Sequence, residues 1–90
     1  MKPFTWDANK NRQIQGSGRQ VSFAELAATI QGDGLLDTLP THRPDLYPGQ
    51  ELYIVLLHGE VYVVPFIERE NDIHLITAYP SRKMRREYLR

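Results

Sequence analysis

The chain closes on AYPSRKMRREYLR, where Arg82, Lys83, Arg85, Arg86 and Arg90 stand against one carboxylate, Glu87. Guanidinium forks match phosphate oxygens two at a time, and salt-dependent phosphate contact supplies most of the nonspecific affinity of proteins for nucleic acid. If the segment is helical from Arg82, Met84 and Tyr88 fall at i and i+4 and can lie on the body of the protein, while Arg82, Arg85 and Arg86 share a different side. Two readings follow from this spacing: a solvated charged face, or a grip for a polyanion.

Metal-free RNA cleavage needs a base for the ribose 2′-hydroxyl, cations for the charge that builds on phosphorus, and an acid for the leaving oxygen. His58, Glu60 and Tyr79 are of types that transfer protons, and Arg82 with Arg85 or Arg86 is suited to hold the phosphate. The plainer reading makes His58 a turn residue and Tyr79 a strand-end aromatic, and both readings stay open. His42, His58 and His74, in a chain without cysteine, have no metal-ligand spacing, so neither a metal nor a cofactor is expected. Walker, GxGxxG, HExxH and EF-hand patterns are absent from the sequence.

The elements that must position these groups are readable from periodicity and punctuation. In VSFAELAATIQG, Ser22 and Glu25 form a capping box, Val21 and Leu26 sit as a hydrophobic staple, and Phe23, Leu26, Ala27 and Ile30 make one apolar stripe before Gly32. Ahead of that helix, PFTW reads as extended, and Asp7 caps a short polar helix through Ile14 that Gly16-Ser17-Gly18 breaks. LLDTL reads as a short strand, and Pro48-Gly49 suits the centre of a type II turn. Residues 51 to 58 are apolar on both faces, as a central strand should be, and His58-Gly59-Glu60 turns the chain into VYVVPFI. Pro65 has no N–H for a ladder and marks a bulge or an edge-facing register. A polar turn leads into IHLITAY, Pro80 ends that strand, and Ser81 caps the basic helix. The expected fold is α+β: a single small domain with an antiparallel β-meander of three to four strands, N-terminal helices and a C-terminal basic helix. In that meander His58, Glu60, Tyr79 and Arg82 gather at one rim, and Glu51, Glu68 and Asp72 at the other.

Bulk properties agree with a domain of this kind. Ninety residues with 41% hydrophobic and 24% charged side chains suit one globular core. The apolar runs fall well short of the ~18 residues of a membrane span. Met1-Lys2-Pro3-Phe4 opens no signal peptide, and the lack of cysteine fits a cytoplasmic setting. A net charge of +0 conceals segregation: residues 21 to 74 carry nine carboxylates against Arg43 and Arg69, while both ends are basic. Local field, rather than total charge, steers a polyanion.

Taken in order, FTWD, VSFAE, VYVVPFIER, DIHLITA and a basic helix ending in Tyr88 resemble the BrnT family of bacterial toxins over nearly the whole chain. The resemblance implies a small cytoplasmic endoribonuclease with a RelE-like fold, acting on RNA without a metal and halting translation. It further implies a ribbon-helix-helix antitoxin of the BrnA kind, encoded beside it, whose complex with the toxin represses their operon. Glu68 and Arg69 match the family's acidic-basic pair at the turn, and Arg82, Lys83, Arg85 and Arg86 match its basic last helix. Residue chemistry and resemblance together make Arg82, Tyr79, His58 and Glu68 the catalytic candidates, and Lys83, Arg85, Arg86 and Arg69 the RNA-binding ones. Two places differ from the family: QIQGSGRQVSF lacks the histidine of a Lys-His-Gly before the helix, and Tyr79-Pro80 stands where a basic residue often follows the strand. The alternative function is a non-catalytic nucleic-acid-binding or protein-interaction module.

Overall fold

A strand that is apolar on both faces has to be covered twice, and the architecture follows from that requirement. The structure is a computed structural model that describes residues 2–16 and 21–89. Its elements in chain order are β1 (Phe4–Thr5), α1 (Ala8–Gln15), α2 (Phe23–Gln31), β2 (Leu35–Pro40), β3 (Gln50–Leu57), β4 (Glu60–Glu68), β5 (Ile73–Leu75), β6 (Tyr79–Pro80) and α3 (Arg82–Tyr88). They form an α+β unit around a mixed six-stranded sheet ordered β1-β5-β4-β3-β2, with β6 also pairing β4. Among the described residues no helix is long and apolar enough to cross a membrane.

β3 lies between β2 and β4, and its alternate side chains enter separate cores. Tyr53 and Val55 join Tyr62, Val64 and Phe66 of β4 beneath α2, whose Phe23 and Leu26 are fully buried. Trp6 stacks on Phe23 at 5.9 Å and Tyr53 on Phe66 at 3.8 Å between ring centroids. On the other face Leu52, Ile54, Val61 and Val63 are covered by Met84 of α3. Period-2 alternation in β3 and β4 thus places α2 and α3 on opposite sides of one sheet.

The antiparallel meander holds for β2 through β5 but not for the whole sheet, because β1 pairs β5 in parallel. The Ile73 N–H donates to the Pro3 carbonyl, and the Thr5 hydroxyl donates to Asp72 at 2.7 Å, which fixes that extra edge strand. The run expected as one strand from Ile73 to Tyr79 is also divided into β5 and β6. Pro65 is the cause: its carbonyl accepts from Ile76 on that side, and its missing N–H leaves the ladder without the matching donor. Phe66 pairs with Leu75 and Val63 with Tyr79, so residues 76 to 78 span only 64 and 65 opposite, a bulge that re-aims the chain toward α3.

The helix caps match the sequence expectation. Asp7 accepts from the Asn9 and Lys10 N–H groups, Ser22 from Glu25, and Ser81 from Met84. The Glu25 side chain is directed to the His58 ring at 3.1 Å, so the capping box is realised through Ser22. The Tyr47 carbonyl accepts from the Gln50 N–H, and Gly49 has φ 79°, the type II turn foreseen at Pro48-Gly49. His58 and Gly59 both have positive φ, 54° and 77°, between the paired Leu57 and Glu60, which is a type I′ hairpin turn. The break expected at Gly16-Ser17-Gly18 runs into residues 17 to 20, outside the described residues, and Arg90 lies outside them too.

Gly34 permits the close approach of the chain leaving α2 to β3. Its carbonyl accepts from Leu56 N–H at 2.8 Å, and an added Cβ would meet the Thr29 methyl at 2.1 Å and the Leu56 carbonyl at 2.7 Å. Gly34→Ala is expected to destabilise the fold by about 1–3 kcal/mol through overpacking against a backbone atom. Urea denaturation checks this: an unchanged midpoint would mean that the approach is not tight.

Candidate phosphate-binding recess

α3 is short, and its geometry follows from three local features. Ser81 accepts from Met84 N–H at 3.2 Å, the Leu89 N–H closes the far end on the Arg85 carbonyl at 2.8 Å, and Arg85 and Arg86 occupy the last turn, where cations complement the helix dipole. At about 100° per residue, Arg82, Arg85, Arg86 and Leu89 fall within one third of the helix circumference. Met84 and Tyr88 fall on one side of that face, and Lys83 and Glu87 on the other.

Burial agrees with this wheel. Met84 is 6% exposed in the second core, and the Tyr88 hydroxyl donates to Asp37 of β2 at 2.6 Å. The arginine face is thereby aimed at the sheet edge where β6 leads into α3. There Arg82, Arg85 and Arg86 line an open recess of about 720 Å³ with Glu60, Pro80 and Leu89. Among the described residues no carboxylate lies within ion-pair distance of Arg82, Lys83, Arg85 or Arg86. Glu87, the carboxylate of the helix itself, is outside the recess lining.

The other candidates separate from this site. Lys83 is exposed on the flank of α3. His58 holds the I′ turn and its Nε2 lies 3.1 Å from Glu25, so it is not among the residues lining the recess. Tyr79 lines an adjoining groove rather than the recess. Glu68 and Arg69 sit at the opposite end of the sheet. Lys2 Nζ donates to Glu68 at 2.9 Å and to the Arg69 carbonyl at 2.7 Å, while Arg69 Nε donates to Asp72 at 2.6 Å. His58 and Glu60 share the β3–β4 hairpin end and Tyr79 and Arg82 flank the β6 pairing beside it, so the four lie toward one end of the sheet as expected, but only Glu60 and Arg82 line the recess.

At that opposite end a polar cluster of Thr5, Arg69, Asp72 and His74 ties β1 to the β4–β5 turn. The Arg69 guanidinium, and next the Thr5 hydroxyl, hold the Asp72 carboxyl well below the usual carboxylate range. Arg69 is raised in turn by the same hydrogen bond. These groups stabilise an edge strand and are already paired, which accounts for them without a ligand. Sequence reasoning did not foresee the cluster, since Thr5 joins it across the whole length of the chain.

No family model, curated protein or solved structure matches the chain.

The Tyr88–Asp37 bond couples the recess to the fold and gives it a pH limit. The hydrogen bond to Asp37, with burial and the charges of Asp37 and Glu87, pushes the Tyr88 hydroxyl up to about 12, and the same bond lowers Asp37. Since the folded value exceeds the unfolded value of about 10, the stabilisation is complete below pH ~10 and is lost as pH rises through the folded value. Burial, with the negative charges of Glu68 and Glu51, raises Tyr53 as well, so it adds to the same alkaline loss. Thermal melts across this range are expected to show a shallower alkaline decline for Tyr88→Phe than for the parent; identical declines would contradict the tether.

Proposed function

We propose that the chain is an endoribonuclease, the toxin of a toxin–antitoxin pair, and that it cuts RNA at the α3 recess. One observation carries the site: three guanidiniums and one carboxylate share an open recess, with no described ion pair neutralising the guanidiniums. The ordered segments from FTWD to DIHLITA, similar to the BrnT toxins, support the class.

In this scheme Arg82, Arg85 and Arg86 hold a phosphodiester and stabilise the charge that grows on its oxygens. Of the groups suited to proton transfer, Glu60 is the one at the recess, and it takes the proton from the 2′-hydroxyl. The 2′-oxygen bonds to phosphorus, the bond to the 5′-oxygen breaks, and that oxygen takes a proton from solvent, to which the recess is open. The products are a 2′,3′-cyclic phosphate and a 5′-hydroxyl. A ribbon-helix-helix antitoxin would silence the protein by covering α3.

A second reading is supported by the position of His58 and Tyr79 outside the recess, which leaves proton transfer to Glu60. In that case α3 binds RNA without cutting it. The two are separated by incubating purified protein with single-stranded RNA and with DNA of the same sequence, in chelator and with added divalent metal. The nuclease cuts RNA in chelator and spares DNA, which has no 2′-hydroxyl. RNA that stays intact in both conditions but binds with strong salt dependence identifies the binding module. Absence of binding removes both.

A further inference from the structure

Beside the recess, on the sheet face that α3 covers, lies a second concavity of about 350 Å³ whose lining includes His42, Tyr47, Gln50, Leu52, Pro65 and Tyr79. We propose that this groove is a nucleobase subsite: it receives an unstacked base of the strand whose phosphate occupies the recess. The proposal rests on the RNA-binding role of α3 and adds the class of ligand that the neighbouring surface takes.

Three observations carry it. The first is two aromatic rings left in solvent: Tyr47 is 49% and Tyr79 47% exposed, although the cores have taken in Tyr53 and Tyr62. Tyrosine faces offer stacking to any base, and exposed aromatics beside a cationic track are how single-stranded nucleic acid is bound without sequence readout. The second is continuity. Tyr79 pairs with Val63 of the α3-side core and lines the groove, while Pro80 pairs with Tyr62 of the α2-side core and lines the recess, so the two sites open on either side of β6 and a strand that fills both passes round that edge. The bulge opposite Pro65 produces this arrangement by carrying the chain from β5 across to α3.

The third is that the loop beside the groove carries its own hydrogen bonds and the groove has the size and lining of a ligand site. Arg43 donates to both Asp45 oxygens, its carbonyl accepts from the Leu46 and Tyr47 N–H groups, and the Pro48-Gly49 turn closes on Tyr47. These bonds order the loop locally around Tyr47, although its residues from 42 to 49 are exposed. The volume lies in the range of about 300–1,000 Å³ usual for small-molecule sites. Leu52 and Pro65 form an apolar floor, while the Gln50 amide and the His42 ring supply hydrogen-bonding edges at the wall. Apolar floor, ring walls and a few polar groups at the margin suit a flat heteroaromatic ligand, and the arginines next door select one that carries phosphate.

The test uses a short 2′-O-methyl oligonucleotide, which lacks the attacking hydroxyl and stays intact, made with one 2-aminopurine and also with an abasic site at that position. The aminopurine is expected to lose fluorescence on binding the parent protein. Tyr47→Leu and Tyr79→Leu, both at exposed positions, are each expected to weaken binding of the intact oligonucleotide roughly 5- to 150-fold and to restore the fluorescence. Neither substitution should change affinity for the abasic oligonucleotide. If the parent binds intact and abasic strands equally, with affinity still lost in the R82Q/R85Q/R86Q protein, the base subsite is wrong and the phosphate grip stands. If no strand binds the parent in a salt-dependent way, the subsite and the RNA-binding role fall together.

Discussion

Replacing Arg82, Arg85 and Arg86 together by glutamine is expected to lower affinity for single-stranded RNA about 100- to 1,000-fold at low salt, with the melting temperature little changed. Charge-assisted contacts to phosphate are individually strong, and solvent screening in an open recess brings three of them down to this range. Salt gives a sharper criterion. Each phosphate contact on a single strand contributes about −0.7 to the slope of log K against log salt, so the triple variant should flatten that slope by about 2. Glu87→Gln, on the flank of the helix, serves as the control and should leave affinity nearly unchanged. Lys83→Gln, on the same flank, should cost far less than any of the recess arginines. A triple variant that binds as well as the parent would show that the arginines are a solvated helix face.

Glu60→Gln should separate cleavage from binding. The substitution keeps the shape of the side chain and removes a base from the recess, so cleavage is expected to fall by about 100- to 10,000-fold, the range for losing a general base. Binding should hold or tighten, because the amide no longer sets a negative charge among three guanidiniums. A loss of binding equal to the loss of cleavage would mean that Glu60 shapes the recess without taking part in proton transfer. Unchanged cleavage would exclude it as the base. Product analysis adds a check on the chemistry: attack by the 2′-oxygen leaves a 2′,3′-cyclic phosphate, and hydrolysis by water does not.

How far the sequence reveals this molecule depends on the range of the physics at each point. The caps at Asp7, Ser22 and Ser81, the Pro48-Gly49 turn and the two-faced β3 were legible because each is decided by neighbours within a few residues. The division of α3 into a buried Met84–Tyr88 side and an arginine side was legible for the same reason, since helical spacing alone sets it.

The parallel pairing of β1 with β5 was not legible. A two-residue strand has no periodicity to read, and its partner lies at the other end of the chain. Pro65 was correctly singled out, yet its consequence falls on the opposite strand, where the run from Ile73 to Tyr79 becomes two pieces. That displacement pairs Tyr79 with Val63, which turns it to the α3 face and into the groove. His58 attracted notice as a proton carrier by residue type, but its φ of 54° gives it a backbone role in the hairpin turn, and its ring meets Glu25 from α2, a contact set by tertiary packing. Glu68 and Arg69 stand adjacent in sequence to the strand end that the resemblance emphasises, and in space they face Lys2 and Asp72 at the far end of the sheet.

The most direct measurement is an NMR titration of isotope-labelled protein with an uncleavable 2′-O-methyl oligonucleotide, following the arginine Nε–Hε signals. If α3 grips the phosphates, the signals of Arg82, Arg85 and Arg86 move together and saturate at one concentration, while that of Arg69, held by Asp72, stays in place. Movement of the Arg69 signal with the three α3 signals unmoved at saturation would contradict the assignment of the recess.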